Sequence, residues 1–273
     1  VTGVDDDLVD GTITSTITLS INDGSSDNNF DSVSDQTVSV STTDDDVAGF
    51  TVAETDSSTS VSESGSTDTF TVVLDAQPNS PVVIALTSSD SGEATSNSPL
   101  TFTSTNWDTP QTVTVTGVDD DIIDGSVSST LTITIVDANS DDDFDAVADQ
   151  TVSVTTTDDD VAGFTIAETD SSTSVGESGT TDTFTVVLDA EPASDVVLTI
   201  TSSDTGEATV NSPLTFTSAN WDTPQTVTVT GVDDDIIDGT VTSTLTIAVD
   251  DSNSDNDFDA VADRAVNATT TDN

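Results

Sequence analysis

The chain repeats itself. Val1-Thr2-Gly3-Val4-Asp5-Asp6-Asp7 returns at Val115 to Asp121 and again at Val229 to Asp235, a period of 114 residues. Over Val47 to Asp121 against Val161 to Asp235, 63 of 75 aligned positions are identical. A period this long is a whole domain and not one turn of a solenoid. Domain edges fall at the runs Asp44-Asp45-Asp46 and Asp158-Asp159-Asp160, because each follows a strand pattern and precedes the same restart, Val-Ala-Gly-Phe-Thr. The expected organisation is the C-terminal part of a repeat at 1–46 and complete repeats at 47–160 and 161–273. The chain opens inside a strand pattern, so it reads as an excerpt from a longer array.

Within the middle repeat, apolar and Thr-rich residues alternate in short runs such as Thr112-Val113-Thr114-Val115-Thr116. A period of two marks half-buried strands. Seven are expected, over Phe50 to Ala53, Thr69 to Leu74, Val82 to Thr87, Leu100 to Thr103, Thr112 to Val118, Thr130 to Val136 and Thr151 to Thr156. Gly, Pro, Asn and Asp turns separate them, and no helical period occurs. The expectation is an all-β chain of tandem, immunoglobulin-like, seven-stranded β-sandwich domains, with a barrel as the competing all-β form. Phe70, Val72 and Leu74, Val82, Ile84 and Leu86, and Leu131, Ile133 and Ile135 supply the inner faces. Trp107 and Trp221, each three residues before a Pro, read as covers of the core edge in preference to carbohydrate platforms.

Charge is the second constraint. There are 53 acidic residues against one base, Arg264, and no histidine, for a formal net charge of -52. Two like charges at 4 Å repel by about 1 kcal/mol in water and roughly 4 at an effective dielectric near 20. Acidity with few aromatics ordinarily signals disorder, but the strand patterning opposes that reading, so positive charge must come from outside the chain. Cys is absent, which excludes disulfides and thiolate metal sites. Repulsion from phosphate excludes nucleic acid, and no apolar run reaches the roughly 18 residues that span a bilayer.

The acids cluster at fixed phase. Asp119, Asp120 and Asp121 with Asp124 lie between two strands, and their copies are Asp5, Asp6, Asp7, Asp10 and Asp233, Asp234, Asp235, Asp238. A second set is the terminal run Asp158, Asp159, Asp160, with copies Asp44, Asp45, Asp46 and the final Asp272. Glu54 and Glu63, with copies Glu168 and Glu177, flank a Ser-rich loop. Calcium takes six to eight oxygens at about 2.3–2.6 Å in flexible geometry, and hard carboxylates without nearby bases suit it. Several Ca2+ ions per domain are expected. Asp141, Asp143 and Asp145, with copies Asp27, Asn29, Asp31 and Asp255, Asp257, Asp259, share the i, i+2, i+4 spacing of EF-hand ligands. The next position is Ser32, Ala146 or Ala260 instead of Gly, which excludes an EF-hand and leaves a calcium-stabilised hairpin loop or a solvated acidic one. Phe144 is placed to anchor that loop on the sandwich.

Taken in order, several stretches resemble the Calx-beta domain of sodium/calcium exchangers, integrin β4 and bacterial surface proteins. They are Val61-Ser62-Glu63-Ser64-Gly65 before Thr69-Phe70-Thr71-Val72, then Leu100-Thr101-Phe102, Thr112 to Val115 with Asp119 to Asp121 and Asp124, and Val152-Ser153-Val154 before Asp158 to Asp160. The resemblance covers nearly the whole repeat. It implies a sandwich with calcium at one pole and Glu63 as a ligand. The family's Gly-x-Asp-Tyr or Gly-x-Asp-Phe segment is replaced here by Glu93-Ala94-Thr95-Ser96-Asn97-Ser98-Pro99, so the ligand carried there is missing, with Asp90 or Glu93 as substitutes. The wording of the repeat is also similar to tandem arrays of RTX-type bacterial adhesins.

An enzyme is not expected. With no His, Cys, Lys or Tyr, only carboxylates and hydroxyls remain, and those recur in every repeat, whereas an active site is built once. Near-identical domains in series instead set distance. The function expected is a calcium-stabilised extender of a secreted bacterial adhesin or surface fibre, extracellular or at the cell surface. The alternative is a subunit of a self-assembling filament of the biofilm matrix. The expected partners are neighbouring repeats of the same chain and identical chains in a fibre.

Overall fold

The computed structural model describes residues 1–273, which fall into two compact units. The first comprises Val1–Asp119 and Val127–Thr157; the second comprises Asp120–Ser126 and Asp158–Asn273.

The first unit begins with an antiparallel hairpin of β1 (Ile13–Leu19) and β2 (Gln36–Thr42), whose apolar residues Ile13, Ile17, Leu19 and Val38 are exposed. A two-sheet sandwich follows. One sheet has the order β3 (Phe50–Glu54), β5 (Thr67–Leu74), β9 (Gln111–Gly117), β7 (Ala94–Ser96). The other has the order β4 (Thr59–Ser62), β11 (Gln150–Thr157), β10 (Ser126–Ile135), β6 (Val82–Ser88), β8 (Leu100–Phe102). The second unit repeats this design. Its sheets are β12 (Phe164–Glu168), β14 (Thr181–Leu188), β18 (Gln225–Gly231), β16 (Ala208–Val210) and β13 (Thr173–Gly176), β20 (Arg264–Thr271), β19 (Thr240–Val249), β15 (Val196–Ser202), β17 (Leu214–Phe216).

The all-β sandwich expected from the alternation is present. Along β5, Phe70, Val72 and Leu74 are buried while Thr71 and Val73 are half-buried between them, and β6 and β10 bury Val82, Ile84, Leu86 and Leu131, Ile133, Ile135 in the same way. The two inner faces meet in one core per sandwich, with Trp107 and Trp221 packed at the edges. Each sandwich has nine strands, because β4 and β7 (β13 and β16) join the seven expected. Both are short. β4 has one apolar residue, Val61, and β7 has only Ala94, so neighbours and not hydrophobic period define them.

β4 carries the chain from one sheet to the other. After β3 the backbone turns at Ser57, which has φ of 66°, crosses to the opposite sheet and runs parallel to β11. In the second unit β13 runs parallel to β20 in the same way, with Thr173 opposite Ala268 and Gly176 opposite Thr271. β18 then passes across the end of β13. A Cβ built on Gly231 would stand 2.2 Å from the carbonyl oxygen of Gly176, and one on Gly117 would stand 2.0 Å from that of Ser62.

These contacts are backbone to backbone, so no side chain can rotate away. Gly231→Ala and Gly117→Ala should each destabilise their sandwich by about 1–3 kcal/mol, the usual range for overpacking. Gly24→Ala, whose Cβ has nothing closer than 3.8 Å, should leave the melting curve unchanged. Thermal unfolding of the three variants checks this.

Candidate metal centre

One pole of the second sandwich gathers the ends of four chain segments. Parallel register sets Glu177, just past β13, beside Asp272, just past β20, and the Glu177 N–H donates to the Thr271 carbonyl at 3.1 Å. Glu207 immediately precedes β16, and its carbonyl accepts from the Val232 N–H at 2.8 Å and from the Thr270 hydroxyl at 3.3 Å. The loop from β18 to β19 brings Asp238, where the Gly239 N–H donates to Asp272 Oδ2 at 3.2 Å. Carboxylate oxygens of Glu177, Glu207 and Asp238 all lie within 4.8 Å of one another.

Glu177 and Glu207 are only 1% and 5% exposed, yet neither oxygen of Glu177 nor Oε2 of Glu207 makes a hydrogen bond. Burial raises the Glu177 carboxyl above its ordinary range, and Asp272, Asp234 and Asp238 raise it further. The nearby Asn273 amide opposes this weakly without forming a bond of ordinary geometry. Glu207 is likewise raised, first by burial, then by Asp238, Glu177, Asp234 and Asp204. Buried carboxylates without donors are costly unless a cation joins them. Oxygens held on both sides of a calcium ion lie up to about 5 Å apart, so this spacing fits one. The centre therefore comprises Glu177, Glu207 and Asp238, with Asp234 and Asp272 adding negative field. Its hard oxygen donors suit calcium.

In the first unit Glu63 and Glu93 occupy the same places after β4 and before β7, and are as deeply buried. Of Asp90 and Glu93, the two acids considered in that stretch, it is Glu93, with its copy Glu207, that is buried. Asp90 and Asp204 do other work, accepting from the Gly92 and Gly206 N–H at 3.0 and 2.9 Å. The signal for Glu207 was the Glu before a small-residue strand too short to recognise by period.

The other acids are placed as follows. Asp6, Asp120 and Asp234 cap their own loop, accepting from the N–H of Leu8, Ile122 and Ile236 at 3.1, 2.8 and 2.6 Å. Their neighbours Asp5, Asp7, Asp119, Asp121, Asp233 and Asp235 are exposed or half-buried. Asp44 and Asp158 staple the strand end to that loop: Asp44 Oδ2 accepts from Asp10 and Gly11 at 2.9 and 2.7 Å, and Asp158 Oδ2 from Asp124 and Gly125 at 3.1 and 2.8 Å. The amides of Asp46, Gly11 and Asp10 hold the Asp44 carboxyl below its usual range. Asp46 and Asp160 are half-buried, whereas Asp45 and Asp159 face outward. Glu54 and Glu168 accept from the hydroxyls of Thr59 and Thr173 at 3.0 and 2.9 Å, which ties β3 to β4 and β12 to β13.

The Asp141, Asp143, Asp145 loop and its copy form another kind of site. Asp255 caps a 3-10 turn at Asn256–Phe258 and accepts from Asp257 N–H at 3.2 Å, Ser194 N–H at 2.6 Å and the Ser194 hydroxyl at 3.2 Å. Burial raises its carboxyl, but these donors outweigh that and leave it below the ordinary range. Asp141 likewise accepts from the Asp143 and Ser80 N–H groups at 3.2 and 2.6 Å. Phe144 and Phe258 are fully buried and pin each loop to its core. Asp145 is raised by burial and then by Asp137, Asp142 and Asp141.

Asp255 thus has well-formed protein donors where Glu177 has none of ordinary geometry. Asp255→Ala should cost roughly 1–3 kcal/mol, the penalty for orphaned buried donors, and the same amount with calcium and with chelator. Glu207→Gln should instead change sign with the medium, raising the melting temperature in chelator by removing a buried charge and lowering it in calcium by removing a ligand. Paired melting curves measure both.

No protein-family model and no curated sequence matches the chain. Among solved structures it is similar to CBD12 from CALX1.2, with TM-score 0.30 and 14% identity over 72% of this chain and 79% of that one. The S-layer protein SbsC, domains 4 and 5, has TM-score 0.34 and 16% identity over 81% of this chain and 97% of that one. An endo-fucoidan hydrolase from glycoside hydrolase family 107 has TM-score 0.29 and 11% identity over 96% of this chain and 34% of that one. Similarities of this size assign no family to the chain.

Proposed function

We propose that the chain is a calcium-stabilised structural extender, working in an extracellular or cell-surface protein such as a bacterial adhesin or fibre. The observation that carries this reading is the pair Glu177 and Glu207, buried among further carboxylates with three of their four carboxylate oxygens outside any hydrogen bond of ordinary geometry, in a domain whose twin carries Glu63 and Glu93. A sandwich built this way is strained by its own charge until a divalent cation enters the pole. No helix is long and apolar enough to cross a membrane. Repetition of one site, with the rest of each domain given to Thr- and Ser-covered strands, supports spacing in place of chemistry.

Calcium removal is the test. Binding to the folded state alone stabilises by about 4 kcal/mol when free ion exceeds the dissociation constant a thousandfold. For units of this size each kcal/mol moves the midpoint by about 2–4 °C or more, so chelation should lower it by roughly 10 °C. Magnesium should restore little, because it demands smaller octahedral sites and dehydrates reluctantly. An identical midpoint in calcium and in chelator would end this reading.

A further inference from the structure

The loop that carries the Asp triplet also carries two apolar residues in every copy: Leu8-Val9, Ile122-Ile123 and Ile236-Ile237. In the second unit, Ile122 forms a parallel bridge to Glu191, the Glu191 N–H donates to the Asp121 carbonyl at 2.7 Å, and Ile123 packs against the core of the β12–β20 sandwich. The first unit has the same arrangement. Leu8 bridges Gln77, the Gln77 N–H donates to the Asp7 carbonyl at 2.7 Å, and the Val9 N–H donates to the Gln77 carbonyl at 3.2 Å. Val9 packs against the core of the β3–β11 sandwich, and Asn79 Nδ2 donates to the Val9 carbonyl at 2.8 Å. The receiving residue follows a buried alanine, Ala76 or Ala190, between the same two strands.

The third copy has the same turn but no receiver. Its Asx turn is closed by Asp234, yet Ile236 is 61% and Ile237 94% exposed. Two half-buried counterparts show what covers such a pair: a sandwich repeat, entered at the connection that holds Gln77 or Glu191. An intact second copy of this chain offers no such place, because Val9 and Ile123 already fill both.

We propose that Asp235, Ile236 and Ile237 form a docking tongue whose partner is a further sandwich repeat of this kind with that connection unfilled. The tongue adds one short parallel strand segment to the partner and seats Ile237 at the edge of its core. Backbone pairing supplies the attachment and the apolar side chain supplies the register, as in other strand additions. This rests on the reading of the chain as serial spacer domains and names the part that joins one to the next.

The test uses amide hydrogen exchange in calcium. The 273-residue chain is compared with one lengthened by a single Asp and a further copy of residues 161–273, which restores the 114-residue spacing. Exchange at Ile236 and Ile237 should slow at least tenfold in the lengthened chain, and the added counterpart of Glu191 should become protected. Ile237→Asp in the lengthened chain should abolish both effects while the added core strands stay protected, showing that the added repeat has folded. In the original chain, Ile123→Asp should speed exchange at Glu191 at least tenfold. Equal rates at Ile236 and Ile237 with and without the folded added repeat would overturn the proposal, as would calcium-independent dimers of the original chain that Ile237→Asp dissolves. If docking failed while chelation still lowered the midpoint, the extender reading would stand without the tongue.

Discussion

The parallel pairing of β13 with β20 is the constraint on which the pole depends. Two strands that run the same way finish at the same end, so the residues just past them, Glu177 and Asp272, must be neighbours. Antiparallel pairing would have sent them to opposite poles. β19 returns antiparallel to β20 with Thr240 opposite Thr271, which delivers Asp238 to the same place. Hydrophobic burial in the two sheets supplies the force that holds these ends together against like-charge repulsion. The core and the acidic pole are therefore one design: the first stabilises an arrangement that the second opposes.

Alternation made the long strands legible, because a residue such as Phe70 or Leu131 can face the core only if its neighbours face outward. It was silent about β4 and β7, whose places are set by hydrogen bonds from β11 and β9. The centre was legible in part for the same reason. Glu177 and Asp238 stand in recognisable loops, whereas Glu207 gains its role from a three-residue strand. Composition alone cannot tell a ligand from a carboxylate already engaged. Asp255 and Glu177 are both buried acids in loops, and the donors Ser194 and Asp257 separate a satisfied turn from a carboxylate with no bond of ordinary geometry.

Close repetition also limits what each residue can vary. Gln77 and Glu191 differ in charge, but both present the same backbone N–H to the preceding loop, so the exchange is tolerated where the bond is made by the main chain. Asn79 and its counterpart, an alanine, differ too, and the side-chain bond to Val9 is an addition to the first unit alone.

The strand that opens the second sheet and the strand that closes it also decide how a repeat responds to tension. A pull on the chain ends reaches β12 first, and once β12 has given way it drags β13 backward and β20 forward along their shared axis, so the bonds from Thr173 to Gly176 are loaded together in shear. Forced unfolding is governed by the unfolding rate and not by equilibrium stability, and shear loading makes that rate small. On the proposed spacer role, each repeat would be a link that keeps its length under steady load and yields all at once.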